Sequence, residues 1–349
     1  MNPETEGQYT TSSETLLDVQ TPNKQSRLYL LLSTIILVVL VTSGGLLVWQ
    51  HNYITDWFVL RDYHPTAAIQ KLTQDDTMTA YARRLFYVNK PQIDGKTAFN
   101  AHCSNGNDQI TVLGCFTGNR NGIYLYNVTD PRLAGIEQVT AAHEMLHQAY
   151  ARLSSSERTK VDTMLLAFDK TITDPTLKAK VAQYQKIEPN SVVDEMHSVF
   201  GTEVDNLPPQ LEAYYSQYFT DRHKITQYHD QYEAAFRERQ QQISSYDSQI
   251  DKLNAQITND KAIIASDELS LQNEQDQMNE YKQTGQISTY NSMVSGFNTL
   301  VSSYTALTDK TNELIDQYNS LVTARNAIAT QEQQLEQAIN SQASTATQQ

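Results

Sequence analysis

Basic side chains are scarce in this chain: 26 Lys and Arg stand against 40 Asp and Glu in 349 residues. The shortage argues against nucleic acid as a partner, because phosphate binding needs a basic face. Cysteine is scarcer still. Cys103 and Cys115 are the only two, there is no CxxC pair, and their spacing fits no thiolate metal pattern. In an oxidising compartment they are expected to pair and close a short loop. Charge is missing altogether from Leu28 to Trp49, a run of 22 residues. At the helical rise that run spans about 33 Å, so a transmembrane helix is expected over 28–49, with Tyr29 and Trp49 at the interfaces. Glu4, Glu6, Glu14 and Asp18 precede it and no A-x-A-like site follows, which disfavours a cleaved signal peptide. Lys24 and Arg27 flank its start, whereas the first basic residue beyond it is Arg61. The expected placement is a single-pass plasma-membrane protein with its N-terminus cytoplasmic and the remainder outside.

The rest of the chain divides by pattern. Residues 1–27 form a polar tail expected to be disordered, and 50–77 a juxtamembrane connector broken at His64-Pro65. A globular α+β domain is expected over 78–226. Its first part is rich in β-branched and aromatic residues at 85–93, 110–116 and 122–128, read as strands. Turn signals at Asp94-Gly95, Asn105-Gly106-Asn107 and 118–122 separate them. Its second part carries helix starts at Asp130-Pro131, Ser154-x-x-Glu157, Asp174-Pro175, Ser191-x-x-Asp194 and Pro208-Pro209.

After about residue 227 a period of seven takes over. Ile243, Ile250, Ile257, Ile264, Leu271 and Met278 form one series, and Met293, Leu300, Leu307, Leu314, Leu321 and Ile328 a second. Tyr290, Phe297, Tyr304 and Tyr318 lead the second series by three, completing an a/d seam. With Thr284-Gly285-Gln286 as the turn, the pattern predicts a long antiparallel coiled-coil hairpin over 227–340, followed by a disordered tail at 341–349. Asp260, Asp267 and Glu274 fall on the seam, where packing should be loose or wet. Between 228 and 340 there are 16 acidic and 7 basic side chains, so most of the surplus acid belongs to this solvated arm and says little about a ligand.

One stretch carries chemistry: His143-Glu144-Met145-Leu146-His147. On a helix, residues i and i+4 lie on one face, so both imidazoles can reach one ion. Glu144 lies about 100° around the axis from His143, beside the ion rather than on it, where it can take a proton from an activated water. Val139, Ala142, Leu146, Ala149 and Leu153 form an apolar stripe beside the histidines, as in a half-buried helix that presents ligands to a cleft.

The motif resembles that of the zincin metallopeptidases, and Asp194-Glu195-Met196-His197-Ser198 resembles the downstream stretch of the glutamate-ligand branch, the gluzincins. The resemblance covers the motif helix and a short stretch near 194–203. It departs from thermolysin-like members at Val199, where they carry an Asp, and in its longer gap of 48 residues between His147 and Glu195. The metzincin continuation is absent, since Tyr150 and Leu153 occupy its Gly and His positions. The resemblance implies a Zn2+-dependent endopeptidase acting on a peptide or protein substrate, with a zincin-like domain and with His143, His147 and Glu195 as metal ligands. Glu203 and His197 are the alternative third ligands. Glu144 is the expected general base, and Tyr215, or its neighbour Tyr214, a phenol for the oxyanion. The competing reading is a surface-anchored coiled-coil adaptor with a structural or inactive zinc site, self-associating or binding a protein partner through the arm.

Overall fold

The structure is a computed structural model. It describes residues 24–49, 51–103 and 112–342, with 24, 26, 27, 30 and 41–49 described by backbone alone. The expected turn at 105–107, the first two residues of the 110–116 segment, residues 1–23 of the N-terminal tail and 343–349 of the C-terminal tail lie outside the described residues. Two compact units divide the chain, Met1–Asp62 and Tyr63–Gln349.

The first unit holds α1 (Lys24–Trp49) and α2 (His51–Leu60). Among the described residues no helix is long and apolar enough to cross a membrane. The expected transmembrane helix at 28–49 is therefore corrected, and the single-pass plasma-membrane placement inferred from it is withdrawn.

The second unit continues with α3 (Ala67–Asp75), α4 (Ala80–Tyr87), β1 (Gln92–Asp94), α5 (Lys96–His102), β2 (Gly114–Phe116) and β3 (Ile123–Tyr126). A 3-10 turn (Pro131–Leu133) leads to α6 (Ile136–Ala151), α7 (Ser155–Asp169), α8 (Pro175–Ile187), α9 (Val192–Glu203) and α10 (Pro209–Tyr215). Two long helices, α11 (His223–Gln283) and α12 (Ile287–Ile339), complete the chain. Helix takes 76% of the described residues, with three short strands among them, so the expected α+β zincin-like domain is corrected to a helical one. The segment 85–93 shows why. Thr79 caps α4 by accepting from Ala82 N, and Ala82, Leu85 and Phe86 are fully buried at helical spacing. That spacing and cap outweigh the aromatic, β-branched composition, and only Gln92–Asp94 remains as strand.

The small sheet has the order β1-β3-β2, with β1 parallel and β2 antiparallel to β3, which places β2 at an edge. The link from β2 to β3 takes positive φ at Gly118, Arg120 and Gly122. A disulfide joins Cys103 to Cys115 with Cα atoms 5.8 Å apart, tying the end of α5 to β2. Helix caps follow the start signals. Ser154 and Glu157 form a full capping box, and Asp174 accepts from Leu177 N ahead of Pro175. The core gathers on α6, whose Ala141, Ala142, Met145 and Leu146 are fully buried among α3, α4 and α9.

Helices α11 and α12 have lengths of about 90 and 80 Å and fold back at Gly285, which takes φ +77°. Their antiparallel register is pinned by Lys310 to Asp260 at 3.0 Å and Arg325 to Asp247 at 3.0 Å. Asp260 is buried on the seam yet paired, so that position is ionic rather than wet. At the base of the hairpin, Leu335 joins Leu133 and Ile136 in a small apolar cluster.

Candidate metal centre

Helix α6 offers one face to a cleft of about 580 Å3: Ile136, Val139, Thr140, His143, Glu144 and His147, at the 3–4 residue spacing of a single helical stripe. Edge strand β2 forms one wall. Helix α8 forms another, with Lys180, Gln183 and Tyr184, and α9 contributes Asp194 and Glu195.

The two imidazoles meet with Nε2 atoms 3.1 Å apart. Glu195 Oε2 lies 3.6 Å from His143 Nε2, and its Oε1 lies 3.6 Å from His147 Nε2. These ligand atoms all fall within 4.8 Å of one another and form a group that can hold one metal ion. Two ring nitrogens facing each other at such a distance repel unless a proton or a cation lies between them. On its far side His147 Nδ1 meets Asp194 Oδ1 at 2.8 Å, which fixes both the ring and its tautomer. Ser191 does not cap α9 with its side chain, and Asp194 in the first turn turns toward His147 instead. The outer partner that Val199 left open is thus Asp194, the residue immediately before the proposed third ligand.

The electrostatics suit a cation. Burial pushes the His147 imidazole down, but the Asp194 hydrogen bond and the charges of Glu195, Asp194 and Glu144 outweigh it and hold the ring up to about 10. Burial pushes Glu195 up. The His143 hydrogen bond, the charges of His147 and His143, and a Tyr184 hydrogen bond overcome that and leave it below the usual carboxylate range. Glu144, only 6% exposed, is raised above its ordinary value by burial, against the pull of both histidines. Its carboxylate is wedged against β2, so tightly that a Cβ built on Gly114 would fall 2.6 Å from Glu144 Oε1.

The other candidates from the sequence sit elsewhere. Glu203 lines the cleft but accepts from Lys180 Nζ, with His229 Nε2 at 3.6 Å. His197 is fully buried, its Nε2 bonded to Tyr214 Oη at 2.8 Å, and burial followed by repulsion from His147 and His143 lowers it to about 3. Tyr215 is fully buried too and donates to the His197 carbonyl at 2.7 Å. Neither Tyr215 nor Tyr214 lines the cleft. Two phenols do, Tyr184 on α8 and Tyr232 on α11; Tyr184 is the one hydrogen-bonded with Glu195, and no motif marks it. Comparison with protein-family models, with curated proteins and with solved structures finds no match to this chain.

Proposed function

We propose that the chain is a zinc-dependent peptidase. The observation that carries the reading is the convergence of His143, His147 and Glu195 beside a buried, unligated carboxylate, Glu144, in one cleft. Donors tetrahedral about zinc at roughly 2.1 Å lie about 3.4 Å apart; here the two Nε2 atoms are 3.1 Å apart, a different Glu195 oxygen lies 3.6 Å from each, and one donor atom from each residue falls within 4.8 Å of the others. Two imidazoles and one carboxylate also match the three-ligand set of a catalytic zinc, which keeps a fourth position open. Zinc bound there would lower the pKa of a water and polarise a carbonyl.

The chain's own groups supply the rest. Glu144, raised by its burial, takes the water proton at a carboxylate oxygen and passes it to the leaving nitrogen. Asp194 keeps His147 turned toward the ion. Tyr184, on release from its hydrogen bond to Glu195, would donate to the developing oxyanion, the role expected from the sequence for Tyr215. Strand β2 favours a peptide substrate: it lies at the sheet edge along the cleft, where an extended chain can pair with its backbone. A purely structural site has no use for Glu144, which weighs against the adaptor reading.

The test uses the full chain. Zinc is quantified by elemental mass spectrometry, and a broad peptide library is incubated with wild type and Glu144→Gln. The expected result is one zinc in each protein and cleavage by wild type alone, abolished by chelator. Stoichiometric zinc with no cleavage by wild type refutes the reading.

A further inference from the structure

We propose that the coiled-coil arm shapes the substrate: Tyr232 of α11 closes a subsite beside the metal centre that accepts one bulky, uncharged side chain. The inference rests on the peptidase reading and extends it. On the cleft face of α6, Ile136 lies seven residues from His143, about 10 Å along the axis. That is within reach of a large side chain, or of two or three extended residues, from a carbonyl held at the ion. Here the floor is Ile136 and Val139, 3% and 5% exposed, and Leu113 adds a wall from the segment entering β2. Tyr232 completes the enclosure, from a helix that begins 72 residues after His143's own helix ends.

The arm is held firmly at this place. Gly135 takes φ +103°, and a Cβ there would meet Tyr228 O at 2.8 Å, so the start of α6 presses directly on the α11 backbone one turn before Tyr232. Tyr232 packs against the cluster of Leu133, Ile136 and Leu335, with its ring 5.3 Å from that of His229. Just past the end of α12, Ser341 Oγ donates to Val112 O at 2.5 Å, next to Leu113. Both ends of the arm therefore grip the walls of one pocket.

Its polarity selects the ligand class. Among the described residues lining this end, Lys180 and Glu203 are paired with each other. Burial, then the charges of Glu203 and Glu233, raise the Tyr232 phenol far above its ordinary value and keep it neutral. A charged side chain would lose its hydration here without gaining a free counter-ion, whereas an apolar or aromatic one gains by burial.

The test compares full-length wild type, Tyr232→Ala and Tyr232→Trp, each zinc-loaded, on peptide libraries varied around the cleaved bond. Wild type should favour Leu or Phe over Asp or Lys at one flanking position by about 10- to 100-fold. Tyr232→Ala should shift selectivity by about tenfold toward larger residues, and Tyr232→Trp by a similar factor toward Ala and Val. Calorimetry with uncleaved peptides on a Glu144→Gln background reads the same preference without turnover. If both position 232 variants that fold keep the wild-type order of side chains, or if Glu144→Gln binds Leu- and Asp-bearing peptides equally, the subsite is overturned. A wild type that carries zinc and cuts nothing overturns the peptidase reading instead, and the calorimetric arm then decides the subsite alone.

Discussion

Gly114→Ala tests the position of the general base without touching a metal ligand. The added Cβ would stand 2.6 Å from Glu144 Oε1, 2.6 Å from Thr140 Cγ2 and 2.8 Å from Glu144 Cγ. Carbon contacts that short do not persist, and ordinary contact begins near 3.4 Å. Something must move by close to 1 Å. Helix α6 cannot retreat, because Ala141, Ala142 and Met145 on its opposite side are fully buried. Nor can β2 easily leave, because Gly114 is in register with Leu125 of β3 and the next residue, Cys115, is disulfide-bonded. The mobile part is the Glu144 side chain. A displacement of about 1 Å at a reacting group costs roughly 100-fold in rate, or about 2.7 kcal/mol of transition-state stabilisation. Stability should change little, since alanine is favoured over glycine in a strand by about 0.5–1 kcal/mol and offsets part of the crowding. The assay is kcat/KM on a peptide that wild type cleaves, together with zinc content and Tm. The expected result is full zinc, near-native Tm and a rate lower by about two orders of magnitude. A variant with full zinc and a rate within threefold of wild type would refute the assignment of Glu144 as a base held in place by Gly114.

Asp194→Ala removes the outer partner of His147 and should weaken zinc binding by about 10- to 100-fold in a chelator competition, with Asp194→Asn recovering part of the loss through its carbonyl oxygen; equal affinity for all three proteins would sink the positioning role. Asp76 is fully buried, neither of its carboxylate oxygens has a hydrogen-bond partner among the described residues, and burial, then the charge of Asp75, holds it well above the usual carboxylate range. Its folded value therefore exceeds its unfolded one, so the contribution of this group to stability is most favourable below about pH 4 and declines as pH rises toward the folded value. Asp76→Asn should flatten that slope in denaturant titrations and add about 1–3 kcal/mol at neutral pH, and parallel slopes for the two proteins would contradict it. Reducing the Cys103–Cys115 bond, which spans a sequence separation of 12, should cost about 3 kcal/mol, read as a lower Tm under reductant that Cys103→Ser with Cys115→Ser reproduces without reductant.

Legibility from sequence followed the range of the interactions. His143 and His147 were legible because a helix alone brings i and i+4 together, whatever surrounds it. The long hairpin was legible for a similar reason: a seven-residue period describes its own seam, and Gly285 is the one break in it. Its detail was not. Asp260 looked like a flaw until Lys310, fifty residues on, came into register with it. The α4 segment misled because composition was weighed above the Thr79 cap and the helical spacing of buried residues. The apolar run in α1 misled because a count of uncharged residues was converted directly into a membrane span, whereas among the described residues no helix is long and apolar enough to cross a membrane.

The site failures share one cause, and it bears on how the cleft works. Tyr214 and Tyr215 are phenols the sequence offers to the oxyanion, yet adjacent residues on a helix point about 100° apart, and tertiary packing decides which direction is the cleft. Here it is neither: Tyr215 is spent on the His197 carbonyl and Tyr214 on the His197 ring, inside the core. The groups that do line the cleft, Tyr184, Gly114 and Tyr232, come from three elements that no local rule connects to α6. Gly114 matters through the side chain it lacks, and Tyr232 matters only because the arm returns to the base of α6. A site of this kind has a catalytic half that motifs encode and a recognition half that the fold assembles. Substitutions at Gly114 and Tyr232 should therefore separate rate from selectivity, the first lowering turnover for every peptide alike and the second reordering the peptides.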